Sequence, residues 1–464
     1  LIPYGIKNSI VINVRTKIYY LIIILFITIF IVMKGVIKLI SNLKITGLFG
    51  RFNYNIELKD NNITILTGPN GFGKSTILKI ILEISNLNLL YFFNLEFKEI
   101  IIQCTDSNTI SLKKQKNKFL VNDEKIDNQN FKEYFFSQHR FTQIRPNKWL
   151  DRKTRKFYNS MEDAYFTLFD DLSEEDSDLF TMFLNKQQNT SFLKIKKILL
   201  DFKTSCGNIR LISEQRLIKQ NHAYTDNEEK IIDVISELPQ KMKYKISKVS
   251  EDYSKKANSL DSSYPGRLFS TKEGLKDKKE YEEKMKIANS KFEKLNKYDL
   301  VDFKIIKANN YEEEFSKALK IYFEDFESKY AVFEDFIDRL DLYTEIVNSR
   351  LSFKEIKITR KEGLIVVSKD KNKSTCLDLN HLSSGEKQEI VLFYELIFET
   401  DKNLLLLIDE PEISLHILWQ KKFMDDLMKV VNMGQLEVIV ATHSPQIINN
   451  HWDMQIDLGE LYGN

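Results

Sequence analysis

The most constraining feature of this chain is the run Gly68-Pro69-Asn70-Gly71-Phe72-Gly73-Lys74-Ser75-Thr76, a complete G-x-x-x-x-G-K-S spacing. Before it, Ile63-Thr64-Ile65-Leu66-Thr67 is a short β-branched, apolar stretch that reads as a buried strand. After it, Ile77 to Leu82 continues as an apolar helix. A strand that enters a helix through glycines lets the backbone approach a phosphate closely, and the helix N-terminus adds aligned N–H groups and a positive dipole end. In that setting Lys74 is expected to reach the β- and γ-phosphates of ATP, and the Ser75 hydroxyl to ligate Mg²⁺. Residues Pro69 to Thr76 would line the nucleotide. The same spelling without a strand and a helix around it would be only a turn.

Two later segments supply the hydrolytic groups. Leu404-Leu405-Leu406-Leu407-Ile408 reads as a strand buried on both faces, as in a parallel sheet covered by helices. Asp409 and Glu410 stand at its C-terminal end, where open α/β sheets bind ligands. Asp409 is expected in the Mg²⁺ shell and Glu410 as the group that polarises the attacking water, a role worth about 10²–10⁴-fold. Neighbours on a strand face opposite sides, but here the strand is ending and Pro411 enforces a turn. Val438 to Ala441 is a second short strand, and His443 follows at its end within Thr442-His443-Ser444-Pro445. A histidine so placed can contact the γ-phosphate or the water. His139, His222, His381, His416 and His451 lack such company, although His381 adjoins the segment described next and can help to position it.

Leu382-Ser383-Ser384-Gly385-Glu386-Lys387-Gln388 lies between the phosphate loop and the acidic strand. Phosphate loop, L-S-S-G-E, hydrophobic strand with D-E, and T-H-S-P occur in the order that resembles the ATP-binding-cassette (ABC) ATPases of the SMC, RecF and OLD group. Within that group the chain is most similar to the stand-alone prokaryotic AAA-type ATPases of anti-phage defence. Gly47-Leu48-Phe49-Gly50, Thr67 to Gly71, Leu382 to Gln388 and Thr442 to Ile448 carry the resemblance. Asn450 to Asp453, with Ile456-Asp457-Leu458, is similar to the end of the ATPase subunit of the PARIS defence system. The motifs cover the two ends of the chain.

The resemblance implies an α/β fold: a P-loop NTPase head of the ABC type, a mixed sheet with an antiparallel subsheet, and helical insertions forming a short arm. It also implies that Ser383, Ser384, Gly385 and Glu386 cap the γ-phosphate bound by a second subunit. The result is a homodimer through ATP-sandwiched heads, open to higher assembly. Gln215 falls where the family places a glutamine that senses Mg²⁺ and water; an ordinary surface glutamine is the alternative. The implied function is an ATP-hydrolysing sensor or scaffold in prokaryotic anti-phage defence that controls a separate Toprim- or nuclease-like effector. On this reading the short segment after His443 is expected to leave no room for a Toprim domain, so any nuclease activity is expected from a partner. A RecF- or SMC-like DNA-repair ATPase is the second reading. A transport ATPase is the third, disfavoured by Ser384 where transporter cassettes usually carry a glycine and by Ser444-Pro445 after the histidine.

Composition sets the remaining bounds. A chain of 464 residues with 43% hydrophobic content can bury a substantial core and divides into more than one unit. A formal charge of +2 exerts no strong pull toward nucleic acid. Cys104, Cys206 and Cys376 show no metal spacing, which suits a reducing cytoplasm. Ile18 to Met33 is apolar between Lys17 and Lys34, but short of the roughly 20 residues that a span needs. It reads as an extension ahead of a true start at Met33 rather than as a membrane anchor.

The expected divisions are therefore 1–33 as that extension, 34–220 and 351–464 as the head, and 221–350 as a helical arm. Leu89 to Ile102 and Ile110 to Val121 read as strands of the subsheet, with a turn at Asp106-Ser107-Asn108. Asp127 to Leu200 reads as helical. It carries a basic cluster, Lys148, Arg152, Lys153, Arg155 and Lys156, that suits nucleic acid, an acidic partner or, more often for such a run, a solvated helix face. Asn227 to Tyr298 reads as a helical hairpin broken at Pro265-Gly266, and Leu351 to Ser368 as strands.

Overall fold

The computed structural model describes residues 39–115, 118–127, 141–145, 148–151, 157–158, 190–221, 230–301, 311–369, 375–413 and 415–463. They form two compact units. The first takes in the chain to Leu211, Asp401–Glu410 and the segment from Val431 onward; the second takes in Ile212–Thr400 and Pro411–Val430.

The first unit begins with the hairpin β1 (Ile40–Leu48) and β2 (Phe52–Glu57), followed by β3 (Ile63–Thr67), α1 (Lys74–Ser85) and α2 (Leu89–Asn94). Strands β4 (Glu99–Cys104), β5 (Thr109–Gln115), β6 (Lys118–Val121) and β7 (Glu124–Asp127) extend the hairpin into an antiparallel sheet of order β2-β1-β4-β5-β6-β7. A smaller antiparallel sheet holds β8 (Phe141–Arg145), β9 (Lys148–Asp151) and β10 (Phe157–Tyr158). Helix α3 (Thr190–Cys206) and strand β11 (Asn208–Ile212) follow.

The second unit is mainly helical. After the ribbon β12 (Ile218–Asn221) and β13 (Lys230–Asp233) come three long helices, α4 (Val234–Ser270), α5 (Lys278–Lys297) and α6 (Ser316–Asn348). Both α4 and α5 pack against α6. A three-stranded antiparallel sheet, β14 (Lys354–Thr359), β15 (Gly363–Ser368) and β16 (Cys376–Leu377), lies against α4 and α6. Helix α7 (Ser384–Phe398) packs on α6 as well.

The chain then forms β17 (Leu404–Asp409), α8 (Ile417–Gly434), β18 (Glu437–Ala441), α9 (Pro445–Ile448), β19 (Gln455–Asp457) and α10 (Leu458–Gly463). A second sheet of the first unit has the order β11-β17-β18-β3-β19. Strands β17, β18, β3 and β19 run parallel, and every residue of β17, β18 and β3 is buried. That is the pattern of a parallel sheet covered on both faces. One hydrophobic core joins the two sheets: Ile77, Ile81 and Ile84 of α1 and Leu199 and Phe202 of α3 share it with Ile45 and Ile100 of the antiparallel sheet and Leu405, Leu407 and Ile439 of the parallel one.

Three local expectations need correction. Leu89–Asn94 is a helix, so only Glu99–Cys104 of the expected 89–102 stretch is strand; Phe92 and Leu89 enter the core from the helix. The parts of 127–158 that are described are strands, Thr190–Cys206 is a helix, and 159–189 lie outside the described residues. Lys148 lies on such a strand with its ammonium 4.8 Å above the Phe157 ring, while Arg152, Lys153, Arg155 and Lys156 lie outside the described residues, as do Ile18 to Met33.

The arm does not break at Pro265-Gly266. Helix α4 runs through both residues to Ser270. Arg267 holds that turn, bonding the Ser263 hydroxyl, the Leu260 carbonyl and, through both terminal nitrogens, the Asp325 carboxylate on α6. Among the described residues, no helix is long and apolar enough to cross a membrane.

Candidate ATP site

Parallel register assembles the site. Asp409 of β17 pairs with Ala441 of β18, and Ala441 pairs with Leu66 of β3. Three C-terminal strand ends therefore lie level, and the chain leaves them as the acidic pair, the histidine segment and the phosphate loop. Strand β18 is in the middle, so His443 emerges between the other two.

The loop enters α1 through Gly73, whose φ of +84° is left-handed and whose Cβ, if present, would lie 3.1 Å from Leu48 Cδ2. Only glycine meets both conditions without strain. Helix α1 has no acidic residue in its first turn and no side-chain cap. Its first N–H groups are thus left for an anion. Lys74 is 5% exposed, and its Nζ donates to the Gly68 carbonyl at 2.9 Å.

The Ser75 hydroxyl donates to Asp409 Oδ1 at 2.9 Å. Glu410 has a φ of +45°, a costly conformation for a residue with a side chain, and its N–H donates to the Ala441 carbonyl at 2.8 Å. This reversal at the strand end turns Glu410 toward the loop: its Oε1 is 3.8 Å from Lys74 Nζ and its Oε2 2.6 Å from His443 Nδ1. The Glu410 side chain is 12% exposed and that of His443 53%. A serine hydroxyl and a carboxylate side by side are the hard oxygen donors that suit Mg²⁺. A second carboxylate bonded to an imidazole suits proton transfer.

The remaining sequence candidates belong to the second unit. Ser383 caps α7 in a reciprocal box: its Oγ accepts from Glu386 N–H at 3.3 Å, and Glu386 Oε2 accepts from Ser383 N–H at 2.9 Å. Lys354 donates to both Glu386 oxygens at 2.9 and 3.0 Å. Burial raises the Glu386 pKa, but the bonds from Lys354 and Ser383 outweigh it and leave the carboxyl below its ordinary value. Ser384 and Gly385 form the first turn of this helix. Gln215 is exposed, and its carbonyl accepts from the Ser213 hydroxyl at 3.3 Å.

Helix α7 is anchored from α6 and the turn after it. Tyr343 donates to the Ile390 carbonyl at 3.0 Å, Arg339 to the carbonyls of Ile397 and Thr400, and Arg350 pairs with Glu389 and with Asp426 on α8. None of Arg350, Lys354 or Tyr343 carries a sequence signal; the S-x-x-E spacing at Ser383, read above only as a phosphate cap, is also the spelling of a capping box.

The sequence pattern of the AAA ATPase domain matches residues 39–448. The chain belongs to that family. This AAA-domain protein is an ATPase. No curated protein matches it in sequence.

Among solved structures, the SMC head bound to the C-terminal winged-helix domain of ScpA is 11% identical, with 89% of this chain and 92% of that one covered and a TM-score of 0.37. The SMC head with an extended coiled coil bound to the C-terminal domain of ScpA, derived from Pyrococcus furiosus, is 14% identical, with 89% and 91% covered and a TM-score of 0.34.

Proposed function

We propose that this ATPase is a switch in which two copies close around ATP, each binding the nucleotide on its phosphate loop and capping the other's with Ser384 and Gly385. The observation that carries the reading is the convergence of Lys74, Ser75, Asp409, Glu410 and His443 at three level strand ends. Lys74 binds the β- and γ-phosphates, Glu410 accepts the proton of the attacking water, and His443 orients Glu410. Ser75 and Asp409 would hold Mg²⁺. When bound, Mg²⁺ neutralises charge on the phosphate oxygens. ATP then stabilises the closed pair by its differential affinity for it.

The cycle controls a separate nuclease-like effector in the prokaryotic cytoplasm, as part of anti-phage defence. The L-S-S-G-E, T-H-S-P and N-H-W-D segments and their likeness to defence ATPases, the PARIS subunit among them, support this partner class. A DNA-repair role of the RecF or SMC kind is consistent with the same family.

Mixing tests the shared site. Lys74→Ala and Ser384→Arg subunits should each be inactive alone. Together they should regain turnover, because one site of each mixed dimer keeps an intact loop and an intact cap. No recovery on mixing would remove the shared site. Capture by Glu410→Gln protein with ATP, from cells expressing neighbouring genes, tests the partner. Recovery of a nuclease-like protein supports the defence reading; recovery of DNA alone supports repair.

A further inference from the structure

The phosphate loop is braced by a segment that the functional reading leaves without a role. Strand β19 runs parallel to β3, with Ile456 opposite Leu66 and Asp457 opposite Thr67, the residue just before Gly68. The Thr67 hydroxyl donates to Asp457 Oδ2 at 3.0 Å and accepts from Gln455 Nε2 at 2.7 Å. Thr67 is 5% exposed, and both bonds are partly buried. The other Asp457 oxygen accepts from Gly459 N–H at 2.7 Å and Glu460 N–H at 3.3 Å, which fixes the start of α10.

Helix α10 then presses on the loop itself. A Cβ built on Gly68, whose φ is +144°, would lie 3.3 Å from Leu458 Cβ, and one built on Gly459 would lie 3.6 Å from Pro69 Cδ. Beyond them the Tyr462 ring lies 5.9 Å from the ring of Phe72, a loop residue, and 5.0 Å from that of Phe52. Tyr54 donates to the Phe72 carbonyl at 2.9 Å. Burial, helped by Tyr462, pushes the Tyr54 phenol up to about 12, so it remains a donor.

We propose that Gln455–Tyr462 is a clamp that positions the phosphate loop for ATP, with Thr67 and Asp457 as positioning residues and Tyr462 as the ring contact. The proposal rests on the ATP-site reading. Gly68, whose carbonyl receives Lys74, is held between the Thr67 bonds and Leu458. A loop ordered before the ligand arrives loses less conformational freedom on binding. Glu410 and His443 leave other strands, so the clamp acts on ATP affinity and not on the hydrolytic groups.

The test is steady-state ATP turnover and binding of a fluorescent ATP analogue in the full chain, with thermal unfolding beside them. Thr67→Val keeps the side-chain volume and removes both hydroxyl bonds; Asp457→Ala removes the acceptor. Each should raise KM and Kd for ATP about tenfold, the loss of one charge-assisted bond, with kcat held within about threefold. Thr67→Ser should restore wild-type values.

KM and Kd unchanged in both variants, or a fall in kcat and unfolding temperature that Thr67→Ser does not rescue, would overturn the clamp. If Asp457→Ala does not fold, Tyr462→Leu at a half-exposed position takes its place, with the same rise in KM expected and an unchanged KM counting against the proposal. Lys74→Ala is measured alongside. Wild-type affinity in that variant overturns the ATP-site reading itself, independently of Thr67 and Asp457.

Discussion

Replacing Glu410 by glutamine should separate ATP binding from ATP turnover. The carboxylate is 3.8 Å from Lys74 Nζ and 2.6 Å from His443 Nδ1, with 12% of its side chain exposed. Glutamine keeps the volume and the backbone reversal and removes only the charge. On turnover, an amide cannot accept the water's proton. Losing a general base costs about 10²–10⁴-fold, or about 3–5 kcal/mol of barrier.

Binding shifts the other way. A unit charge at that distance from Lys74 attracts it by about 4 kcal/mol at an effective dielectric of 20, before the cost of desolvation. The same carboxylate repels the γ-phosphate that Lys74 must reach. The variant should therefore bind ATP at least as tightly as the wild type, while single-turnover hydrolysis slows at least a hundredfold. Hydrolysis within about tenfold of wild type would remove Glu410 as the base. Affinity weakened by about tenfold or more would mean that Glu410 holds the loop and not the water.

Three further outcomes follow from the geometry. Arg350→Met removes the partner of the buried Glu389 carboxyl, while Asp426 keeps Lys429 at 3.3 Å, and should cost about 3–5 kcal/mol, read by denaturant unfolding through Trp419 fluorescence with the other two tryptophans replaced by Phe. Adding Glu389→Gln should recover part of that cost, and no recovery would refute the pairing. Burial, only partly offset by Arg350, raises Glu389 from 4.5 to about 7. Between those values the folded chain holds a proton that the unfolded chain releases, so this group's contribution is present below the lower value and lost as pH rises through the upper one. Glu389→Gln should flatten stability across that window, and an unchanged slope would refute it. Gly73→Ala should weaken ATP binding and cost about 1–2 kcal/mol of strain at its left-handed φ, checked by calorimetry and thermal unfolding.

Much of the ATP site was legible because its chemistry is local. Gly68 to Thr76 encodes strand, turn and helix within one contiguous stretch, and the leucines before Asp409 announce a strand buried on both faces. The middle of the chain was harder. Leu89-Leu90-Tyr91-Phe92-Phe93 is too short for periodicity to separate strand from helix, and it folds as a helix. Pro265-Gly266 is a turn signal by local propensity, yet Arg267 bound to Asp325, 58 residues away, keeps that turn helical.

By itself, then, the sequence singled out the candidate groups, since a phosphate loop, an acidic strand end and a following histidine are each spelled in a few adjacent residues. Only the tertiary structure decided their relations. Parallel register makes the three strand ends level, a left-handed Glu410 turns its carboxylate toward Lys74, and Thr67 meets Asp457 across 390 residues of chain. Contacts between residues so far apart leave no local pattern. They exist because burial of the shared core brings those strands side by side.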